Sequence, residues 1–389
     1  MRPTSEGLVA VAAAASLLVG CRAFDAGLLD GSTRSDAGAC GRVPPARVNT
    51  VDDPSGERLT FVLGDPVLDQ RDDRWATIGF DLDGLCSDGT EMSVRCRAPS
   101  SSAPPSTDGE EGIDNAFGDS ILPLIIVARP DFEERAVTGY RRGLGAFVVR
   151  LDDWNGEPDD PAVRVAIVQT IFGSGDMLDV VGEIEIGADS LVVGGVTHPY
   201  PQWDGDDYFW GRPDNFLLGD LESPRIVDEE AYVAGGTLVV ELPGRTPLIL
   251  GGNETDVLIT LIDAVLTVEL DPEGPSTGRA VLAGRWAIAD ILAALAPAGV
   301  CEGTDDYASF ERLLQLAADT YATAGAAGPC DAISVGLEFE PGVTANLVDA
   351  IMPFPAPMPC TSRDGGAGDG GVGDAGDAGD AGLTDGGST

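Results

Sequence analysis

The chain has no lysine: all 23 of its basic side chains are arginine, set against 65 acids and one histidine in 389 residues. Without lysine there is no P-loop, no Schiff-base chemistry and no kinase-type phosphate lysine. With His198 as the sole histidine, the common zinc sites and the Ser-His and Cys-His nucleophile pairs all depend on one residue. That residue lies in a Thr-His-Pro-Tyr-Pro turn, where capping a backbone group is the expected role. No serine stands in a Gly-x-Ser-x-Gly elbow. Gly143-x-Gly145 and Gly173-x-Gly175 lack a third glycine and a following helix, so they read as turns. A net charge of −42 without clustered cations excludes nucleic acid and anionic headgroups as ligands, because phosphate contacts need grouped positive charge. The acidity itself reads as a solvated, colloidally stable surface.

Long apolar runs are also scarce. The clearest, Leu8 to Val19, spans 12 residues with no charge and one hydroxyl side chain, Ser16, and follows a short segment carrying Arg2. That is the layout of a secretory signal peptide over residues 1–20. As a helix it reaches roughly 18 Å, too short for a hydrocarbon core of about 30 Å. It ends in Leu18-Val19-Gly20-Cys21, which resembles the lipobox of bacterial lipoproteins; the resemblance implies that Cys21 is acylated and becomes the mature amino terminus. Several acyl chains hold a protein to a membrane without further help. Arg22, in place of an aspartate, points to the outer membrane.

Of seven cysteines, removing Cys21 leaves an even six: Cys40, Cys86, Cys96, Cys301, Cys330 and Cys360. Outside the cytoplasm these are expected in three disulfides. The expected pairs are Cys86–Cys96 around a small polar loop, Cys301–Cys330 around a helix, and Cys40–Cys360 across both ends of the folded region.

Residues 21–57 are rich in Gly, Ala, Asp, Ser and Pro and read as a tether, while 363–389, almost all Gly, Ala and Asp, read as a disordered tail. Between them, 58–362 suits a mainly β globular domain. Trp75 to Leu82 alternates, with Ala76, Ile78, Phe80 and Leu82 on one face, and similar runs recur between Gly, Pro, Asp and Asn clusters. Helical spacing is restricted to Ile113, Phe117 and Ile121 before Pro123, to 287–296, and to 304–322 behind the N-cap candidate Thr304. The expected architecture is an antiparallel β-sandwich with a small C-terminal helical appendage; the alternative is an α+β domain with a single sheet.

One segment, from Tyr200 to Phe216, concentrates rings and acids. Trp203, Asp204, Asp206, Asp207, Tyr208, Trp210 and Asn215 form a candidate patch for gripping a glycan, with or without calcium. It is no EF-hand, because Asp204, Asp206 and Asp207 break the alternating spacing and the twelfth position is Asn215. The plainer reading, a long loop whose rings complete the core, is favoured.

Five stretches, Glu111-Gly-Ile-Asp-Asn-Ala, Trp154-Asn-Gly-Glu-Pro-Asp-Asp, Ala231-Tyr-Val-Ala-Gly-Gly, Leu282-Ala-Gly-Arg-Trp and Cys330-Asp-Ala-Ile-Ser-Val-Gly, resemble a group of uncharacterised bacterial lipoproteins. The resemblance implies a shared extracytoplasmic fold over most of 80–360 and carries no activity, since these are turn and packing residues. The functional expectation is a membrane-anchored lipoprotein with a non-catalytic binding or structural role. Its partners are the membrane through the lipid and a glycan or surface protein, with no cofactor. The competing class is a secreted, carboxylate-dependent glycoside hydrolase.

Overall fold

The computed structural model describes residues 41–49, 56–90, 94–100, 103–180, 182–252, 255–271, 276–296, 300–323 and 325–352. The signal-like run, Cys21, Cys40, Cys360 and the acidic tail lie outside the described residues.

In chain order, β1 (Gly56–Val62) and the two-residue β2 (Pro66–Val67) precede the helices α1 (Leu122–Ala128) and α2 (Phe132–Arg141). Next come β3 (Phe147–Asp153) and the long β4 (Asp160–Ser174). Three short strands, β5 (Ile184–Ile186), β6 (Leu191–Val193) and β7 (Val196–His198), form a small sheet of their own. After them follow β8 (Tyr208–Gly211) and the hairpin of β9 (Phe216–Leu217) and β10 (Asp220–Pro224). The chain continues through β11 (Ile226–Ala234), β12 (Thr237–Glu241), β13 (Arg245–Gly252), β14 (Thr255–Leu270) and β15 (Thr277–Ala287). It ends with α3 (Ile288–Ala294), α4 (Asp305–Ala317), β16 (Ala332–Phe339), β17 (Val343–Thr344) and β18 (Asn346–Ala350).

The mainly β, antiparallel architecture expected from the sequence is what the structure shows, with 40% strand against 19% helix among the described residues. One large sheet runs in the order β17-β1-β3-β4-β11-β12-β14-β15-β16-β2, with β13, β8 and β18 paired off this path. The sheet curls. Phe147 of β3 meets Phe339 of β16 edge to face at 5.3 Å, although β4, β11, β12, β14 and β15 lie between those strands in the sheet. The chain leaves β1 and reaches β2, at the opposite end of that order, within a few residues; Gly64 N–H donates to Glu340 O and Glu340 N–H to Asp65 O. The layers that face each other across the core thus belong to one curled sheet, which does not close into a barrel.

Alternation explains the core. Phe61, Phe147, Ile167, Leu238, Leu266 and Leu337 come from six strands and share one buried cluster, as period-2 side chains on a concave face must. The outer face is covered in part by chain without ladder bonds. Trp75 to Leu82, expected as a strand, is a 3-10 turn over Arg74–Thr77 followed by a bent stretch without ladder pairing. Its Phe80 and Leu82 bury themselves on Val281 and Ala283 of β15. The apolar positions therefore signalled a stretch packed onto the sheet, buried at every position from Ile78 to Leu82, rather than a paired strand.

The helical appendage falls where expected. Thr304 Oγ1 accepts the Tyr307 N–H, with Asp305 and Asp306 in the first turn. Trp286, immediately before α3, is buried and stands 6.2 Å from the Phe117 ring. Two helices were not anticipated in full. Pro123 does not interrupt the Phe117 period; it occupies the first turn of α1, where its missing N–H costs nothing, after a π-type turn over Phe117–Ile121. α2 escaped notice because Thr138 and Gly139 dilute its helical propensity.

The local disulfide scheme is corrected. Cys96 is bonded to Cys330, with Cα atoms 5.3 Å apart, and not to Cys86; Cys86 and Cys301 are likewise oxidised. The reason is that residues 96–97 do not turn back on the polar loop. They run alongside 329–330, with a parallel bridge between Arg97 and Pro329 and the Cys330 N–H donating to Arg97 O at 2.7 Å. The expected Cys40–Cys360 pair lies outside the described residues. A cross-link spanning 234 residues removes far more chain entropy from the unfolded state than a short loop would. Peptide mapping without reduction is expected to join the Cys96 and Cys330 peptides, and serine at both positions to cost about 2–5 kcal/mol in a denaturant melt. A Cys86 peptide joined to the Cys96 peptide would contradict the fold around β16.

Candidate functional site

The aromatic and acidic segment is positioned by β8, which pairs antiparallel with the end of β4 and parallel with β18. Strand alternation then sends its rings to opposite sides. Phe209 enters the main core, whereas Tyr208 and Trp210 face a second cluster with Ile171, Leu191 and Val193. Trp210 is 1% exposed and stacks on Phe172 at 4.8 Å, so its face cannot receive a sugar. Trp203 packs elsewhere, stacked on Tyr140 at 5.8 Å with its Nε1–H donated to Arg141 O.

The polar members are equally committed. Buried Asp207 accepts the Gln202 and Trp203 N–H groups at 2.9 and 2.6 Å and closes the turn; burial raises its pKa. Asn215 Oδ1 accepts the Gln169 N–H at 2.6 Å. Only Asp204 and Asp206 are left at the surface, and Asp204 accepts the Asp206 N–H. The candidate glycan patch is thus not assembled as one face: its tryptophans belong to two cores. His198 also differs from expectation, standing with Nδ1 3.4 Å from the Asp176 carboxylate rather than on a backbone group.

What the structure does assemble is a group of acids from distant parts of the chain. Single carboxylate oxygens of Asp81, Asp83 and Asp114 all lie within 4.8 Å of one another, and Asp81 and Asp114 are buried. Each carboxylate also orders backbone. Asp81 accepts the Gly84 N–H, Asp83 the Leu85 N–H, and Asp114 the Leu82 N–H at 2.6 Å. Asp108 accepts the Ser87 N–H, and Asp319 accepts both the N–H and the hydroxyl of Ser334. Among the described residues, Asp81, Asp83 and Asp114 are the three acids that could converge on a hard cation, though calcium takes six to eight oxygens.

Crowding of like charge in a dry setting fixes the electrostatics. Burial, then the neighbouring carboxylates, pushes Asp108 up to about 7 and holds Asp114 well above the ordinary carboxylate range. Burial likewise raises Asp83, with the Arg95 and Arg285 charges opposing. Asp319 is pushed up to about 6, its bonds from Ser334 opposing. No local signal beyond Asp81-x-Asp83-Gly84 marks this cluster in the sequence, and with 65 acids such a pattern is not distinctive.

Compared with known proteins, the chain matches no family model, no curated protein and no solved structure.

The raised groups set an unusual pH dependence. Asp108 and Asp319 hold protons in the folded state at pH values where the unfolded chain, at an ordinary 3.8, has released them. Their contribution is therefore complete below about pH 4 and is lost as pH rises through 6 to 7. Asp69, lowered to about 2 by its bonds from Arg71, acts in the opposite sense and only in acid. The thermal midpoint is expected to be higher at pH 5 than at pH 8, and Asp108→Asn, which keeps an acceptor for Ser87, to flatten that decline. A midpoint that rises steadily from pH 5 to 8 would contradict the burial of this cluster.

Proposed function

We propose that the protein is a membrane-anchored extracytoplasmic lipoprotein whose folded domain has a non-catalytic binding or structural role. The observation that carries the export part is the use of cysteine. Cys21 follows a charge-free run and a small residue, and four of the other six cysteines, Cys86, Cys96, Cys301 and Cys330, are oxidised. Disulfides persist outside the reducing cytoplasm, so the two halves of the chain agree. No helix among the described residues is long and apolar enough to cross a membrane. The resemblance to bacterial lipoproteins adds support from turn and packing motifs.

Support for a non-catalytic role comes from Trp203, Trp210 and Asp207 of the 200–216 segment, which are taken up by packing and turn closure. One observation favours the hydrolase reading instead: Asp108, pushed up to about 7 by burial, holds its proton near neutrality as a general acid must, but Asp83, Asp114 and Asp319 are raised in the same direction. Against it, Asp81 and Asp114 are buried away from solvent. Polysaccharide cleavage by the parent that disappears in Asp108→Asn would replace the binding reading with the hydrolase.

Mass spectrometry of the native protein tests the anchor. The expected result is an amino-terminal peptide beginning at Cys21 with a diacylglyceryl thioether. An unmodified Cys21, or a mature chain retaining upstream residues, overturns the proposal.

A further inference from the structure

The hairpin of β9 and β10 turns through Leu218 and Gly219, with Asp220 paired back to Leu217. Both turn residues have positive φ, +55° at Leu218 and +75° at Gly219, the signature of a type I′ turn. That turn selects Asn-Gly, because asparagine and glycine tolerate the left-handed region and a leucine does not. Leu218 is nevertheless there, with its side chain fully exposed, and Leu217 beside it is half exposed. The fold gains neither packing nor turn stability from Leu218, so two separate costs fall on one apolar residue at a convex tip.

We propose that Leu217 and Leu218 insert into the interfacial region of the bilayer that holds acylated Cys21. This rests on the lipoprotein reading. The 19 residues between Cys21 and Gly41, where the described fold begins, reach at most about 70 Å when fully extended, so the domain cannot leave the vicinity of its membrane. A tip confined in this way needs only weak affinity to dwell at the surface. The charge around it selects the surface. Close to the tip in sequence, Asp214 and Glu222 are paired with Arg212 and Arg58, so the cations there are already neutralised, and within a chain of net charge −42 a zwitterionic phospholipid face fits better than an anionic one.

The test uses the full chain, acylated and reconstituted in phosphatidylcholine vesicles, with p-benzoylphenylalanine introduced in place of Leu218. The same photo-reactive residue in place of exposed Val196 on β7 serves as control. Illumination is expected to give lipid adducts at position 218 and several-fold fewer at 196. Equal yields at the two positions, no adduct at 218, or an adduct to a second protein chain overturns the proposal. The mass of the Cys21 peptide from the same vesicles reports the anchor separately. A missing acyl group sinks the lipoprotein reading, whereas an intact one without lipid adducts sinks the insertion alone.

Discussion

β16 is the last full strand of the curled sheet: it pairs with β15 along its whole length, but on its other edge only its final two residues meet a strand, with Glu338 opposite Val67 and Phe339 opposite Pro66 of β2. The rest of that edge is satisfied by irregular chain and by side chains. Ala332 exchanges bonds with the Thr320 backbone, and the Ser334 N–H is taken by Asp319 Oδ1. The Gly336 N–H goes to Asn115 Oδ1 at 2.9 Å, while Gly336 O receives the Gln70 amide at 3.0 Å. An open edge is both an energetic cost and an invitation to aggregate, since each buried, unpaired backbone group costs about 1–3 kcal/mol. Closing it with buried side chains obliges the loops that carry them to lie against β16.

Asn115 is the centre of that arrangement. Its amide N–H groups reach Gln70 Oε1, Trp75 O and Ile78 O, and its oxygen also accepts the Gly118 N–H. The close approach needs glycine, because a Cβ on Gly336 would sit 2.3 Å from Ile78 O. Through these bonds the 3-10 turn, the 78–87 stretch and the π-type turn before α1 are fixed together on the outer face. Next to Asn115, Asp114 meets Asp81 and Asp83; across β16, Asp319 is held by Ser334, whose Oγ also accepts the Ala116 N–H at 2.8 Å. The acidic cluster and its raised pKa values thus follow from how one strand edge is closed.

The strands were legible because their signal is local. The apolar runs of β14 and β15, the Asn155-Gly156 turn with Gly156 at φ +79°, and the N-cap at Thr304 all depend on neighbours in sequence. The parts that escaped are those settled by distant chain. Phe80 and Leu82 read as a strand but find a sheet surface instead of a partner strand. Cys96 has a cysteine ten residues away, yet bonds to one 234 residues away because the edge of β16 draws its segment there. Trp203 and Trp210, seven residues apart, look like one platform, but Trp203 lies in the turn before β8 and packs on Tyr140, while Trp210 within β8 faces the second cluster. The acids of the cluster come from four separate stretches, and nothing in any one of them announces the others.

The central claim is that Asn115, as donor and acceptor at once, holds the covering segment to the edge of β16. The most direct measurement is the unfolding free energy of Asn115→Asp by urea titration at pH 7. This change keeps the size and the acceptor for Gly336 but turns the donor that faces Gln70, Trp75 and Ile78 into an acid. A loss of about 3 kcal/mol or more, with residues 78–118 losing amide-exchange protection first, is the predicted result. A loss below about 1 kcal/mol, or uniform exchange across the sheet, would contradict the account.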